Sequence, residues 1–562
     1  MLLNNRLFGG GAAPSCGAIV RPSLRVNRFS AGITASLIVC ATGFPASTAI
    51  GVEATNLGSV VVTGQRCSGV WFTDTWGNDT CVSVFDWGGD GGGYSGGGYN
   101  GDGGGGGGTT DTAVADNATS DDPVTCDGKQ KTAPAQGAMA LTGRPVLIAS
   151  GTKVLPEVDF LVPPEDFPLK LGRGYNKDLT RTGAFGPRWS SNIEHTLSFE
   201  YGAVMCNGRL DQATTCAPGP NPLSAIYMNG EGGFASKHTN AGNGQWTNAS
   251  GTKIVQSGSQ WILTGPDGDQ EVYDAYGRPI TIKNERGIGV TYSYNGSNQL
   301  ATITHTTGRA IAIAWSGSKI ASITAPNGKA YGYGYNANGY LTSVTYPDNL
   351  GTRTYHYEDT NQPGGLTGIS INGARYSRYA YQADGKVAWS GLEEGIERST
   401  FAYGANFTNV TNALGLKTHY EYAQVGGKRQ LIWIERDATP TCAGSFATTT
   451  YDANGNRDVV TDYFGVKTDY DYDADGRLLQ VVAGIGANGE TDQQRMTQYV
   501  WDPGRKTRLN QIKVFGASTS QPLNTTTYTY YPDGDPRARL LQSVAVTNQG
   551  GGSVTTLTTS YA

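Results

Sequence analysis

The sequence is poor in charge. Charged residues make up 16% of its 562 residues, well under the roughly 25% of ordinary soluble domains. The 42 basic and 47 acidic side chains leave a net charge of −5. No basic stripe stands out, which removes the electrostatic footprint of a nucleic-acid-binding protein. Metal patterns are missing as well. None of the eight cysteines forms a CxxC pair, so no zinc-ribbon spacing is present. The five histidines (195, 238, 305, 356 and 419) show no i, i+2 or i, i+4 spacing, and nothing in them asks for a zinc site or a catalytic triad. The glycine run from Gly88 to Gly108 has no strand before it and no Lys-Ser/Thr after it, which excludes a phosphate loop. Beyond residue 50 no apolar stretch approaches the ~20 residues of a membrane span.

What the chain does have is glycine and aromatic rings. Glycine accounts for 81 residues, about twice its usual share, alongside 31 Tyr, 15 Phe and 10 Trp. A chain rich in Gly, Tyr, Thr and Asn and poor in Lys and Glu favours strands and turns over helices.

The first acidic residue is Glu53. Before it stand Arg6, Arg21, Arg25 and Arg28, then the apolar stretch Ala31 to Phe44 and the small residues Ser47-Thr48-Ala49. This order predicts an export signal over residues 1–49 with cleavage after Ala49. Acylation at Cys40 and a buried apolar segment are the alternative readings. Export permits disulfides. Cys67, Cys81, Cys126, Cys206, Cys216 and Cys442 would remain in the mature chain. Cys206 with Cys216, which bracket a short polar loop, is the first pair expected, and Cys67 with Cys81 the second. The sequence leaves the connectivity open.

Residues 50–87 carry short β-like pieces and an aromatic cluster, Trp71, Phe72, Trp76, Phe85 and Trp87. Residues 88–140 read as a Gly-rich and polar linker, because such a run cannot bury enough side chain to offset its ordering entropy. From Leu141 the texture changes. Strand-like alternations at Val146–Ile148, Val158–Val162, Leu169–Leu171 and Leu197–Tyr201 are separated by Gly, Pro and Asn turns. A repeat follows. Its clearest copies are Tyr273-Asp274-Ala275-Tyr276-Gly277, Tyr335-Asn336-Ala337-Asn338-Gly339, Tyr381-Gln382-Ala383-Asp384-Gly385, Tyr451-Asp452-Ala453-Asn454-Gly455 and Tyr472-Asp473-Ala474-Asp475-Gly476. Degenerate copies begin at Tyr294, Trp315 and Tyr531. From Tyr273 through Tyr294, Trp315 and Tyr335 the steps are 21, 21 and 20 residues. Asn-Gly and Asp-Gly offer the positive φ angles of a tight hairpin turn. Tyr ends one strand, and the apolar residues after Gly, such as Leu341, Val344 and Tyr346, make the next. Stacked hairpins share edges and an aromatic ladder, with each ring packed and its hydroxyl reaching water.

This text resembles the YD repeat of the RHS family, named for pairs such as Tyr273-Asp274, Tyr451-Asp452 and Tyr472-Asp473. The segment before it resembles the module that precedes YD repeats, on Gly143-Arg144-Pro145-Val146, Glu157-Val158-Asp159-Phe160, Arg173-Gly174-Tyr175-Asn176 and Gly186-Pro187-Arg188-Trp189. Gly174 and Arg188 depart mildly from that pattern. The resemblance covers about residues 141–562. It implies an all-β fold of repeated hairpins in a long spiralling sheet, part of an RHS/YD shell, with a module over 141–262 and the array over 263–562. In many relatives that shell encloses a C-terminal toxin, and others are surface proteins. The usual C-terminal core motif and toxin domain do not follow before Ala562, so the expectation is a truncated or split product, or one completed by other chains.

Each stretch suggestive of chemistry has a plainer reading. Asp471 to Gly476 opens like a calcium loop, but the twelfth position, where a bidentate Glu is needed, is Val482; the repeat turn explains the same residues. Asp502-Pro503-Gly504 lacks the rest of the shell-closing motif and reads as a turn. Arg173, Tyr175, Arg188 and Trp189 form a structural cation–π and packing cluster. No catalytic residue, cofactor or metal is expected. The chain is read as a non-enzymatic, secreted or surface scaffold of the polymorphic-toxin kind. Its expected partners are another RHS/YD-repeat polypeptide or a toxin domain. The alternative is a carbohydrate-binding surface protein using exposed rings. A hydrolase within residues 50–140 is a third reading, opposed by the low complexity there.

Overall fold

The computed structural model describes residues 70–73, 79–82 and 145–561, apart from short loop stretches within the last span. The signal, the glycine-rich linker and the cysteines at 67, 126, 216 and 442 lie outside the described residues. Among those described there are forty strands, β1 to β40, and no α-helix; a single 3-10 turn occurs at Glu393–Gly395.

β1 (Val70–Thr73) and β2 (Asp79–Val82) form an antiparallel pair. A small sheet follows in the order β3-β4-β5-β8, from β3 (Val146–Leu147), β4 (Thr152–Val162), β5 (Leu169–Asn176) and β8 (Trp189–Ser191). β6 (Thr182–Gly183) and β7 (Gly186–Pro187) pair with each other, and the long sheet holds the other thirty-two strands. β9 (Thr196–Tyr201) lies between β10 (Val204–Asn207) and β11 (Ala225–Asn229). From β11 onward each strand pairs antiparallel with the next, ending at β40 (Thr555–Ser560) against Leu541–Asn548. Both edges of β9 are thereby taken. Residues 196–262 and the repeats share this one continuous ribbon. The expected all-β chain of repeated hairpins is what the structure contains.

The hairpins bury one face. In Ala330–Tyr335, Tyr331 and Tyr333 point inward, and in Ala310–Ser316, Ile311 and Ile313 do the same, as period-two alternation requires. The return strands break that period. Leu341 and Val344 are both fully buried though three residues apart. The ladder explains it: Tyr335 faces Leu341 while Gly334 faces Ser343, so Thr342 is bulged out. The same L-x-x-I spacing recurs at Leu300/Ile303, Ile320/Ile323, Leu431/Ile434 and Leu509/Ile512, each pair buried.

Candidate functional site: the repeat seam and its strap

The repeat turn is built from a side chain. At Asp274, Oδ1 accepts from the amides of Tyr276 and Arg278, both at 2.9 Å, and Oδ2 accepts from Arg278 Nε at 2.7 Å. Asn336, Asp452 and Asp473 likewise use Oδ1 to take amides of their own turns. The turn is wider than a two-residue hairpin. Only the glycine takes positive φ (Gly277 +76°, Gly339 +80°, Gly385 +86°, Gly455 +85°, Gly476 +76°), and the residue before it does not. In the turn that starts at Gln382, Gly385 N donates to Gln382 O at 2.9 Å and the side-chain acceptor is Asp384, whose Oδ1 takes the Lys386 amide at 3.1 Å. The calcium-like text at Asp473 is one of these turns, its carboxylate also taking Arg477 Nε at 2.6 Å. Asp502 does the same work, accepting Gly504 N at 2.8 Å and pairing with Arg508.

At Tyr273 the ring tip donates to the Glu271 carboxylate; in nine later units the aromatic does not send its polar tip to water. It donates to a backbone carbonyl of the preceding unit: Tyr294 to Pro279 (3.0 Å), Trp315 to Leu300 (2.7 Å), Tyr335 to Ile320 (2.7 Å) and Tyr381 to Leu366 (2.7 Å). Tyr451 donates to Leu431 at 2.7 Å. Every acceptor but Leu366 is a residue paired across a register shift, such as Ile320 opposite Trp315. The bulge leaves a carbonyl to be satisfied, and the next ring satisfies it. The sequence reading missed Tyr357, Tyr403 and Trp501, which donate to Leu341, Val387 and Leu478 at 2.9, 2.8 and 2.8 Å. It also placed the last unit one residue late. Tyr530, not Tyr531, donates to Leu509 at 2.8 Å. The L-x-x-I spacing after each turn was the available signal.

The amides of four of those acceptor residues meet a second partner. Residues 145–195 lie along the ribbon as a strap, and Leu210, just past the β9–β10 hairpin, extends the same line of contacts. Leu300 N donates to Leu210 O (2.8 Å), Ile320 N to Ala184 O (3.0 Å), Leu366 N to Tyr175 Oη (3.0 Å) and Val387 N to Gly151 O (2.9 Å). The strap thus meets successive repeats in reverse chain order. At the first position the ribbon has Pro279, which offers no amide, and there Leu197 N of β9 donates to Gly277 O at 2.8 Å. Gly186 has φ +90°, and a Cβ added there would collide with the Gly339 carbonyl, so the strap's approach needs glycine.

A buried polar cluster locks the register. Arg173 and Asp159 are both fully buried and meet in a two-pronged ion pair, Nε and Nη2 each 2.7 Å from a carboxylate oxygen. Tyr333 donates to Asp159 at 2.8 Å, and Arg173 donates to Tyr355 Oη at 3.3 Å. The guanidinium also lies 5.2 Å from the Trp189 ring and 5.8 Å from Phe185. Tyr175 stands edge-on to Trp189 at 5.6 Å. Next to them Arg353 of the ribbon pairs with Glu157 of the strap. Burial pushes the Tyr175 phenol up to about 12 and drives those of Tyr333 and Tyr357 well above the usual range. These rings therefore remain neutral donors at any ordinary pH. Cys206 is disulfide-bonded, while its expected partner Cys216 lies outside the described residues.

An edge-to-edge ribbon of Tyr-Asp turns fronted by a strap module defines a class, and the chain carries RHS repeats and is similar to RHS/YD-repeat proteins. Residues 273–310 and 318–350 match the RHS repeat, and residues 143–212 match a domain of unknown function, DUF6531. The chain is 26% identical over 391 residues to the toxin protein Tse5 of Pseudomonas aeruginosa, an alignment covering 60% of this chain and 28% of that protein. It therefore spans little more than a quarter of that relative. Among solved structures it resembles TcdB2-TccC3 without the hypervariable C-terminal region (11% identity, TM-score 0.38, covering 72% of this chain and 25% of that one). It also resembles the Tc holotoxin pore of Photorhabdus luminescens (11% identity, TM-score 0.29, 70% and 22%).

Proposed function

We propose that the chain is a non-enzymatic, toxin-associated scaffold, exported behind an N-terminal signal over residues 1–49. In this reading 50–87 is a small exported segment, 88–140 a linker, 141–262 the strap-bearing module and 263–562 the array. It works beside another repeat-bearing polypeptide or a toxin domain. One observation carries the reading. The side chains a catalyst would need free are spent on the fold: turn carboxylates hold amides, and ring tips hold carbonyls of the neighbouring unit. The carbohydrate-binding alternative needs flat rings offered to solvent, whereas the repeated rings, such as Tyr335 and Tyr381, are half-buried with their tips anchored on the preceding unit.

The test is growth. Bacteria producing the full chain, in the cytoplasm or exported, are expected to grow like cells carrying an empty vector. Growth arrest by the chain alone would overturn the scaffold reading.

A further inference from the structure

The strap has two faces, and the ribbon uses one of them. In β5, Leu171, Arg173 and Tyr175 point into the seam with the ribbon. Alternation along a strand turns Gly172, Gly174 and Asn176 the other way. Val154 and Pro156 of β4 and Ser190 of β8 stand beside them, Val154 opposite Asn176 and both Pro156 and Ser190 opposite Gly174. This far face is buried as well. Val154 and Ser190 are 0% exposed and Asn176 is 2% exposed, and Gly172, Gly174 and Pro156 are buried too. A face of such small residues shields itself poorly, so its burial means that another part of the chain lies on it.

Among the described residues, β1 lies there. Its Cα atoms come within 8 Å of those of β5 and β4. The edges of β5 cannot receive it. β4 pairs along one edge and β8 along the other, and past β8 the side chain of Asn192 accepts Gly172 N at 2.7 Å and donates to Lys170 O at 3.0 Å. β1 itself is hydrogen-bonded to β2. It therefore meets the strap on its face, opposite the ribbon. Stacked sheets usually stand about 10 Å apart. A closer approach needs a face without side chains, and Gly172 and Gly174 supply it. Neither glycine has positive φ, so the backbone does not call for glycine at these positions, whereas the approaching strand does. Gly174 is also one of the two departures from the pattern that this module resembles. The chemistry of the occupant agrees: β1 reads Val70-Trp71-Phe72-Thr73 and carries no charge, so its burial strands no ion.

We propose that the hairpin of residues 70–82 docks on the strap as a third layer, seated on Gly172 and Gly174, so that the strap is clamped between the ribbon and the chain's own N-terminal segment. The glycine-rich stretch then joins two portions of one body instead of leading to a separate one. The experiment uses the full chain with the photoreactive residue p-benzoylphenylalanine in place of Trp71 in one variant and of Phe72 in another. Neighbours in a strand point to opposite faces, so one of the two positions lies against the strap. After irradiation, digestion and mass spectrometry, that position is expected to be joined to peptides within 152–191. Adding Gly172→Val/Gly174→Val, side chains that suit a strand but fill the seat, is expected to abolish the same cross-link with the circular dichroism unchanged. The proposal is overturned if neither position captures the strap, whether the cross-links fall on the ribbon, stay within residues 50–140 or do not form; these two chains leave the strap unaltered, so their result does not depend on how the valine variant folds. A strap cross-link that survives both valines overturns the glycine seat.

Discussion

The ribbon is built the same way from end to end, yet its two halves are not equally buried. Between Pro279 and Ile434 the inward positions are closed off. Tyr333, Val344, Ile303 and Ile434 are at most 7% exposed, and residues of the strap belong to the same apolar clusters. Between Arg457 and Trp501 the equivalent positions, such as Tyr470 facing Val481, are half-buried. A small cluster of Leu509, Ile512 and Tyr528 follows. Turn chemistry, bulges and the ring-to-carbonyl bonds are present in both. A repeat ribbon therefore supplies its own hydrogen bonds but buries only part of its apolar face, and the strap completes the front half.

That contrast can be broken at its strongest point. Arg173→Met leaves the Asp159 carboxylate buried without its cation, which costs about 3–5 kcal/mol. Hydrogen exchange should show the loss spreading over residues 279–434 and sparing 457–560; uniform loss over both halves would mean that the strap does not act locally. A pair of truncations sharpens the contrast. Leu341→Ala, at a fully buried site, should destabilise by about 2–4 kcal/mol. Leu478→Ala, at the matching but half-buried site, should cost about 1 kcal/mol. Equal values in denaturant unfolding would show that burial is the same in both halves. The smallest effect is expected where the halves agree. Tyr335→Phe and Tyr451→Phe each remove one hydroxyl donated to a carbonyl at 2.7 Å, so each should cost about 1 kcal/mol. A marked difference between them would place the strap's influence on the seam itself.

The hairpins were legible because their chemistry is local. An Asp or Asn and a Gly within five residues, as at Asp274 and Gly277, contain the whole turn. Recurrence at about 21 residues then implies the ladder. Tyr403 and Trp501 were not legible, because their units lack the Ala-x-Gly spacing and what identifies them is a hydrogen bond to a carbonyl far back in the chain. The strap was harder still. Arg173 and Trp189 read as one cluster from the sequence alone, but nothing near them names Tyr333 or Tyr355 as the residues they meet. The bulge after each turn also hid the inward face, since Leu341 and Val344 stand three residues apart, a spacing that breaks the period-two alternation of a strand.

The strap's reversed seating has a consequence for how the chain matures. Thr408 Oγ1 donates to Ile148 O across 260 residues of sequence, and Leu366 N to Tyr175 Oη across 191. On the ribosome the strap emerges first, while its seats appear one by one, Leu300 early and Thr408 last. Contacts of such long sequence separation form slowly. During synthesis the strap's apolar face therefore waits unpaired, a state in which chains aggregate or recruit chaperones. Docking can then proceed only from Leu210 toward Val146. The last bond to close reports that the ribbon has been made as far as Thr408, in the strand Phe407–Thr411, which makes the strap a gauge of nascent-chain length.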